Sequence, residues 1–231
     1  MNLKPIARWT GAAYLGIAIT GAVSFLAVRS QFYVPGDPAA TLGHLTEQHG
    51  LAQFGLIAES LVVVTQALAA LGFFALFRND RPTAAFGVAS FGMANALAIL
   101  VSVVFNATAL AVVAEPALAP AGDSAATVGL LYALSGACWT VGNIFFGLWL
   151  IPMGWFAVST RRLPRVLGWV LMVGGVGYVA SALISVGAPD LASTADAVLP
   201  LAASVGEFWM LGYLLVFGIR PSVISSTTAA A

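Results

Sequence analysis

Residues 51–77 read LAQFGLIAESLVVVTQALAALGFFALF, a run in which Glu59 is the one charged side chain. About 20 apolar residues cross the hydrocarbon core of a bilayer, and backbone polar groups inside it must bond within their own segment, so the run reads as a transmembrane helix. Working outward, five further apolar runs of similar length follow the same pattern: Trp9–Val28, Thr83–Val113, Gly129–Val158, Leu163–Gly187 and Leu199–Ile219. The expected fold class is therefore all-α, a polytopic membrane bundle of six transmembrane helices. Residues 1–221 are expected to form one six-helix membrane domain, and the Ser/Thr/Ala-rich segment 222–231 a disordered tail.

Composition agrees with this reading. Hydrophobic residues make up 60% of the 231 and charged residues 8%, whereas soluble domains carry about 25% charge. The longest connection, Arg29–Gly50, leaves no room for a soluble domain. Lys4 and Arg8 ahead of the first run resemble the start of a signal peptide, but the run is long for one and Arg29 follows it without a small-residue cleavage site.

The charges sort by side of the membrane. Lys4, Arg8, Arg78, Arg81, Arg161, Arg162, Arg165 and Arg220 fall at the termini and in the second and fourth connections, and only Arg29 falls on the opposite side. By the positive-inside rule both termini are expected to be cytoplasmic, in a multi-pass protein of the cell membrane. Asp37, Glu47, Glu115, Asp123, Asp190 and Asp196 lie in the opposite connections, against Asp80 alone on the basic side.

Helices in lipid associate through small residues that let backbones approach. Gly11, Gly16 and Gly21, and Gly174, Gly175 and Gly177, read as such contacts within the bundle, since no two glycines have exactly three residues between them as in the familiar dimer motif. Pro152 removes a helical donor and is expected to kink the fourth span. Trp9, Trp155 and Trp169 stand near span ends, where an indole anchors at the interface. The one cysteine, Cys138, reads as a packing residue.

Two acids lie inside spans, Glu59 and Glu207. Each comes about 12 Å along its apolar run at 1.5 Å per residue, so both are expected at one level in the outer half of the membrane. An acid at mid-span costs about 3 kcal/mol, so such groups face the bundle interior and find partners. Asn106, Gln66, Asn143 and Asn95 are polar groups that can reach that level, and Arg29 is the cation at the outer end of the first span. Glu59, Glu207, Asn106, Arg29, Asn143 and Gln66 are therefore the candidate ligand- or proton-binding residues, with the bilayer and a small molecule or cation as expected partners. The competing reading makes the two acids interhelical hydrogen-bonding groups.

Other chemistry is thinly represented. His44 and His49, with Glu47 between them, occupy the first connection, but a five-residue separation sets two imidazoles about 140° apart on a helix and no matching Cys/His cluster exists elsewhere. No catalytic residues, metal or cofactor is expected. No phosphate-cradling glycine loop, Ser-His-Asp set, HExxH pair or basic nucleic-acid stripe occurs, so nucleic acid is not an expected partner. Oligomerisation is left open.

Helix pairs one-two and five-six are loosely alike. Arg8-x-x-Gly11 matches Arg165-x-x-Gly168, residues Pro35–Thr41 resemble Ala188–Thr194, and Glu59 corresponds to Glu207. A parallel repeat would relate the two acids by a pseudo-two-fold axis along the membrane normal, as in some transporters.

Several of these residues also carry a family resemblance: Arg8-x-x-Gly11-x-x-Tyr14, Val34-Pro35-Gly36-Asp37 with Ala39, Ala40 and Thr41, Phe145-Phe146-Gly147-Leu148, Pro164-Arg165-Val166-Leu167-Gly168, and Gly206-Glu207. The chain resembles, nearly end to end, the bacterial membrane family named domain of unknown function 4386. The resemblance implies a six-helix membrane protein and carries over no residue roles. Three functions fit the sequence. The first is a small-molecule or ion binding or transport protein, proton-linked transport included, with a polar pocket in the outer half of the bundle. The second is a structural or regulatory partner of another membrane protein. The third is an intramembrane enzyme acting on a lipid or isoprenoid, for which the chain lacks the usual cluster of acids, histidines or metal ligands.

Overall fold

The computed structural model describes residues 3–221; the expected tail, 222–231, lies outside them. Among these residues the chain is helical, without strands. Six segments are long and apolar enough to cross a membrane: Lys4–Phe32, His49–Phe77, Pro82–Ala114, Ser124–Thr160, Arg165–Gly187 and Pro189–Val216. We label the helices α1 (Lys4–Phe32), α2 (Pro38–Glu47), α3 (His49–Phe77), α4 (Pro82–Ala114), α5 (Ser124–Thr160), α6 (Arg165–Gly187), α7 (Pro189–Val198) and α8 (Leu201–Val216). The expected spans are all present, and most are extended at their ends.

Two departures bear on function. The first helix does not stop at Val28: it continues through a π-helical segment, Val23–Arg29, and carries Arg29 inside the helix. A π segment widens the turn, so residues five apart stack on one side, and such segments recur at functional sites. The first connection is the second departure, because Asp37 nucleates a helix there. Its Oδ1 accepts the Ala40 amide at 2.9 Å and Pro38 occupies the first helical position. His44 sits in α2 and His49 opens α3, so the two imidazoles belong to separate helices. The described residues contain no group of three His, Cys, Asp or Glu placed to hold a metal ion. Pro152 lies within a helix that runs unbroken to Thr160.

The described residues resolve into two compact units: 16–65 and 96–142, which hold Glu59, and those within 1–15, 66–95 and the part of 143–231 up to residue 221, which hold Glu207. The apolar centre of the Glu59 unit is formed by Val28, Phe32, Leu45, Ala52, Ala109, Leu110, Val128 and Tyr132. Gly16 presses against Thr65 in this unit, where a Cβ would come within 2.6 Å of a threonine methyl.

In the Glu207 unit α5 and α6 touch backbone to backbone. A Cβ on Gly168 would lie 2.6 Å from the Gly154 carbonyl oxygen, and one on Gly175 would lie 2.6 Å from that of Gly147. Both pairs repeat at seven residues and run in opposite directions along the two helices, so the contact is an antiparallel seam that only glycine admits. Beside it Tyr14, Phe73 and Trp149 meet edge to face, with centroids 5.5–5.9 Å apart, and Phe77 stacks on Phe156 at 3.7 Å. At one end of this unit buried Arg162 pairs with Asp80, and its Nε donates to the Arg220 carbonyl at 2.7 Å.

Candidate functional site

The Glu59 unit encloses a buried polar network built from four helices. Along α3, Ala52, Gly55, Leu56 and Glu59 fall on one face by their three- and four-residue spacings. Ser102 and Asn106, one turn apart, present α4, and Tyr132, Ser135 and Trp139 present α5. The π segment of α1 adds Ser24 and Arg29, five residues apart, together with Phe25. Glu59 is 4% exposed. Its Oε1 accepts hydrogen bonds from Ser102 Oγ at 2.7 Å and Trp139 Nε1 at 2.9 Å, and its Oε2 accepts one from Asn106 Nδ2 at 2.7 Å.

Arg29 reaches this carboxyl through hydroxyls. Its Nη1 donates to Ser135 Oγ at 3.1 Å, and its Nη2 to the Tyr132 carbonyl at 3.3 Å. Ser135 and Ser102 lie Oγ to Oγ at 2.8 Å. A guanidinium only donates and Ser102 spends its proton on Glu59, so the direction is fixed: Arg29 to Ser135, Ser135 to Ser102, Ser102 to Glu59. The guanidinium is also held 4.8–5.5 Å from the ring centroids of Phe25, Tyr33 and Tyr132, an aromatic enclosure that replaces water around the cation.

One acceptor in this network is left over. Asn106 is 7% exposed, and its Oδ1 is buried without a hydrogen-bond partner. The carboxylate takes the Nδ2 end, so flipping the amide would set oxygen against oxygen and cannot relieve it. A buried carbonyl without a donor costs about 1–3 kcal/mol. Asn106 lines a cavity of about 20 Å³, whose wall also includes Ser24, Phe25, Arg29, Gly55, Glu59 and Tyr132. That space suits an occupant on the scale of one or two water molecules. Of the lining residues, Asn106 leaves its Oδ1 unpaired and Glu59 Oε2 keeps a lone pair, while Arg29 has guanidinium N–H groups beyond the two bonded to Ser135 and Tyr132.

Glu207 is set differently. Tyr14 Oη donates to its Oε1 at 2.7 Å, joining α1 to α8. Tyr14 is in turn packed edge-on by Phe73 and Trp149. Gln66, fully buried, has neither its Oε1 nor its Nε2 paired, and Trp149 Nε1 is likewise buried without an acceptor. Asn95 is buried on α4 and Asn143 half-buried on α5. The six candidates therefore divide: Glu59, Asn106 and Arg29 share one network, while Glu207, Gln66 and Asn143 belong to the other unit. The likeness between helix pairs extends to a ten-residue helix after each first helix, α2 and α7. It does not extend to the partners of the acids, which come from α4 and α5 for Glu59 and from α1 for Glu207.

Sequence reasoning missed Ser102, Ser135, Trp139 and Tyr132. Their signal was present as polar or amphipathic residues at helical spacing from one another in otherwise apolar runs.

A family model matches residues 9–218, nearly the whole described chain. The chain belongs to the family described as Domain of unknown function (DUF4386). In this DUF4386 chain the matched region includes every residue of the Glu59 network and Glu207 with its tyrosine. No curated protein and no solved structure matches it.

Proposed function

We propose that this protein is a membrane protein of the transport or solute-binding class, which takes a small cation or hydrogen-bond-donating solute at the Glu59 cavity. The observation that carries the reading is the unpaired, buried Oδ1 of Asn106, which lines that cavity beside a carboxylate with acceptor capacity to spare. An unpaired acceptor beside a carboxylate supports a ligand that brings a donor or positive charge. The small volume limits it to a monovalent cation, an ammonium group or water carrying a proton. Arg29 balances Glu59 through the two serines, so a bound cation meets a carboxylate already held in place by three donors. The π segment supports the same reading, since three of the lining residues, Ser24, Phe25 and Arg29, come from it.

The charge partition of the connections supports cytoplasmic termini and a location in the cell membrane. With that orientation Glu59, ten residues into α3 or about 15 Å along it, lies in the outer half of the bilayer.

Native mass spectrometry of gently purified protein tests the proposal, with wild type beside Glu59→Gln and Glu207→Gln. A small molecule or ion retained by wild type and Glu207→Gln but lost from Glu59→Gln is the expected result. Identical spectra from all three overturn it. One observation favours a second reading, a structural or regulatory membrane partner: three donors from two neighbouring helices make Glu59 a clasp in its own right. On that reading Glu59→Gln loses stability or a co-purifying subunit, and no ligand.

A further inference from the structure

The Glu59 unit holds a second, larger cavity at the first connection. It measures about 230 Å³ and is lined by Tyr33 and Val34, by Pro38 and Thr41 of α2, and by Gly129 and Ala133 of α5. Two tyrosines link it to the small cavity beside Glu59. Tyr132, 3% exposed on α5, lines the small cavity, and Tyr33 lines the large one. Their rings stack, with 5.3 Å between centroids and 15° between planes. The Arg29 guanidinium braces the pair, 4.8 Å from the Tyr33 centroid and 5.0 Å from that of Tyr132. One ring borders each cavity and the two are in contact, so the stack is the partition between them.

The two leaves of this partition are not held alike. Tyr132 is set within the unbroken helix α5. Tyr33 is the first residue past α1, extended at φ −84° and ψ 117°, and is half-buried. Its amide donates to the Arg29 carbonyl at 3.0 Å. The next amide, that of Val34, donates to Thr41 Oγ1 at 3.1 Å, and Thr41 Oγ1 donates to the Asp37 carbonyl at 3.0 Å. The backbone around Tyr33 is thereby pinned at both sides, which leaves rotation of its side chain as the motion that parts the rings.

The two cavities also differ in what they admit. A water molecule takes about 30 Å³ of the liquid, so about 230 Å³ accepts a cation with part of its water shell, whereas the cavity of about 20 Å³ beside Glu59 does not. A cation passing from one to the other sheds water at the rings, whose faces already hold a guanidinium and so suit a positive charge. Resting on the reading of the Glu59 cavity as a binding site, we propose that the larger cavity is its entrance and that the Tyr33–Tyr132 stack is the gate, with Tyr33 as the leaf that swings.

The gate is tested by the reactivity of a thiol placed behind it. Ser24, 6% exposed, lines the small cavity, and Ser24→Cys exchanges one atom there. The full-length protein carrying Ser24→Cys would be treated with methyl methanethiosulfonate, a small neutral reagent, and S-methylation followed over time at the introduced thiol and at Cys138 by peptide mass mapping. Adding Tyr33→Ala should speed reaction at the introduced thiol about tenfold, the scale on which losing one aromatic contact shifts an equilibrium. Tyr33→Phe keeps the ring and should leave the rate unchanged. Ala133→Phe, which fills the entrance, should slow it, and this variant decides the matter if Tyr33→Ala misfolds. Equal rates in all of these proteins overturn the gate, as does an equal acceleration at Cys138, which is outside the wall of the small cavity and reports general loosening of the unit. These rates need no bound cation, so they separate the gate from the site behind it. Unchanged rates in a protein whose melting temperature responds to sodium, potassium or ammonium overturn the gate alone. Gated rates in a protein whose melting responds to none of them overturn the binding reading instead.

Discussion

Glu59 and Glu207 both sit in apolar helices, yet their surroundings differ in kind. Glu59 accepts three hydrogen bonds, is tied through two serines to an arginine, and lies beside a cavity and an unpaired amide oxygen. Glu207 accepts one tyrosine hydroxyl, set within an aromatic cluster and next to a glycine seam. The contrast teaches that an acid in a membrane helix can be met in two ways. One unit builds a polar network around it, with capacity left for a ligand; the other meets it with a single tyrosine hydroxyl that joins two helices.

The comparison can be broken by substitution, most severely at Glu59. Replacing it with alanine strands three donors and leaves Arg29 without its counter-charge. The loss should be about 3–5 kcal/mol, measured by reversible unfolding in mixed micelles. A loss under about 1 kcal/mol would mean that the network is not what holds this unit. Next in size, Gly154→Val drives a side chain into the Gly168 backbone, and overpacking of this kind costs about 1–3 kcal/mol in the same assay. Ser135→Ala cuts the link between Arg29 and Ser102 while leaving the Glu59 donors in place, and should cost about 1 kcal/mol. The smallest effect belongs to Glu207: a double-mutant cycle of Tyr14→Phe and Glu207→Gln should give a coupling of about 0.6 kcal/mol, the usual value for such bonds in membranes. A coupling as large as the Glu59 loss would erase the distinction between the two units.

How far these features were legible follows from the same physics. The six spans were readable because hydropathy and length report directly on the bilayer. Glu59, Asn106 and Arg29 were readable as charge or amide in apolar surroundings, though not their separation from Glu207, Gln66 and Asn143. A helix that is apolar all round gives no periodicity to say which face meets which neighbour, so the shared level of the two acids pointed to one pocket where the partners form two sets. The π segment was invisible for a related reason, since Val23–Arg29 has no residue that would break an α-helix. The seven-residue spacing of Gly147 with Gly154 and of Gly168 with Gly175 stood in the sequence unread, because glycine stripes are usually sought at four.

The most direct test of the central claim, that the Glu59 cavity is a binding site, is the melting temperature of wild type and Asn106→Leu as sodium, potassium and ammonium chloride are raised in turn at constant ionic strength. A ligand that binds only the folded state stabilises it by RT ln(1 + [L]/Kd). The account predicts that one of these cations raises the melting temperature of wild type progressively and leaves that of Asn106→Leu flat. Identical responses from the two proteins to all three salts would contradict it.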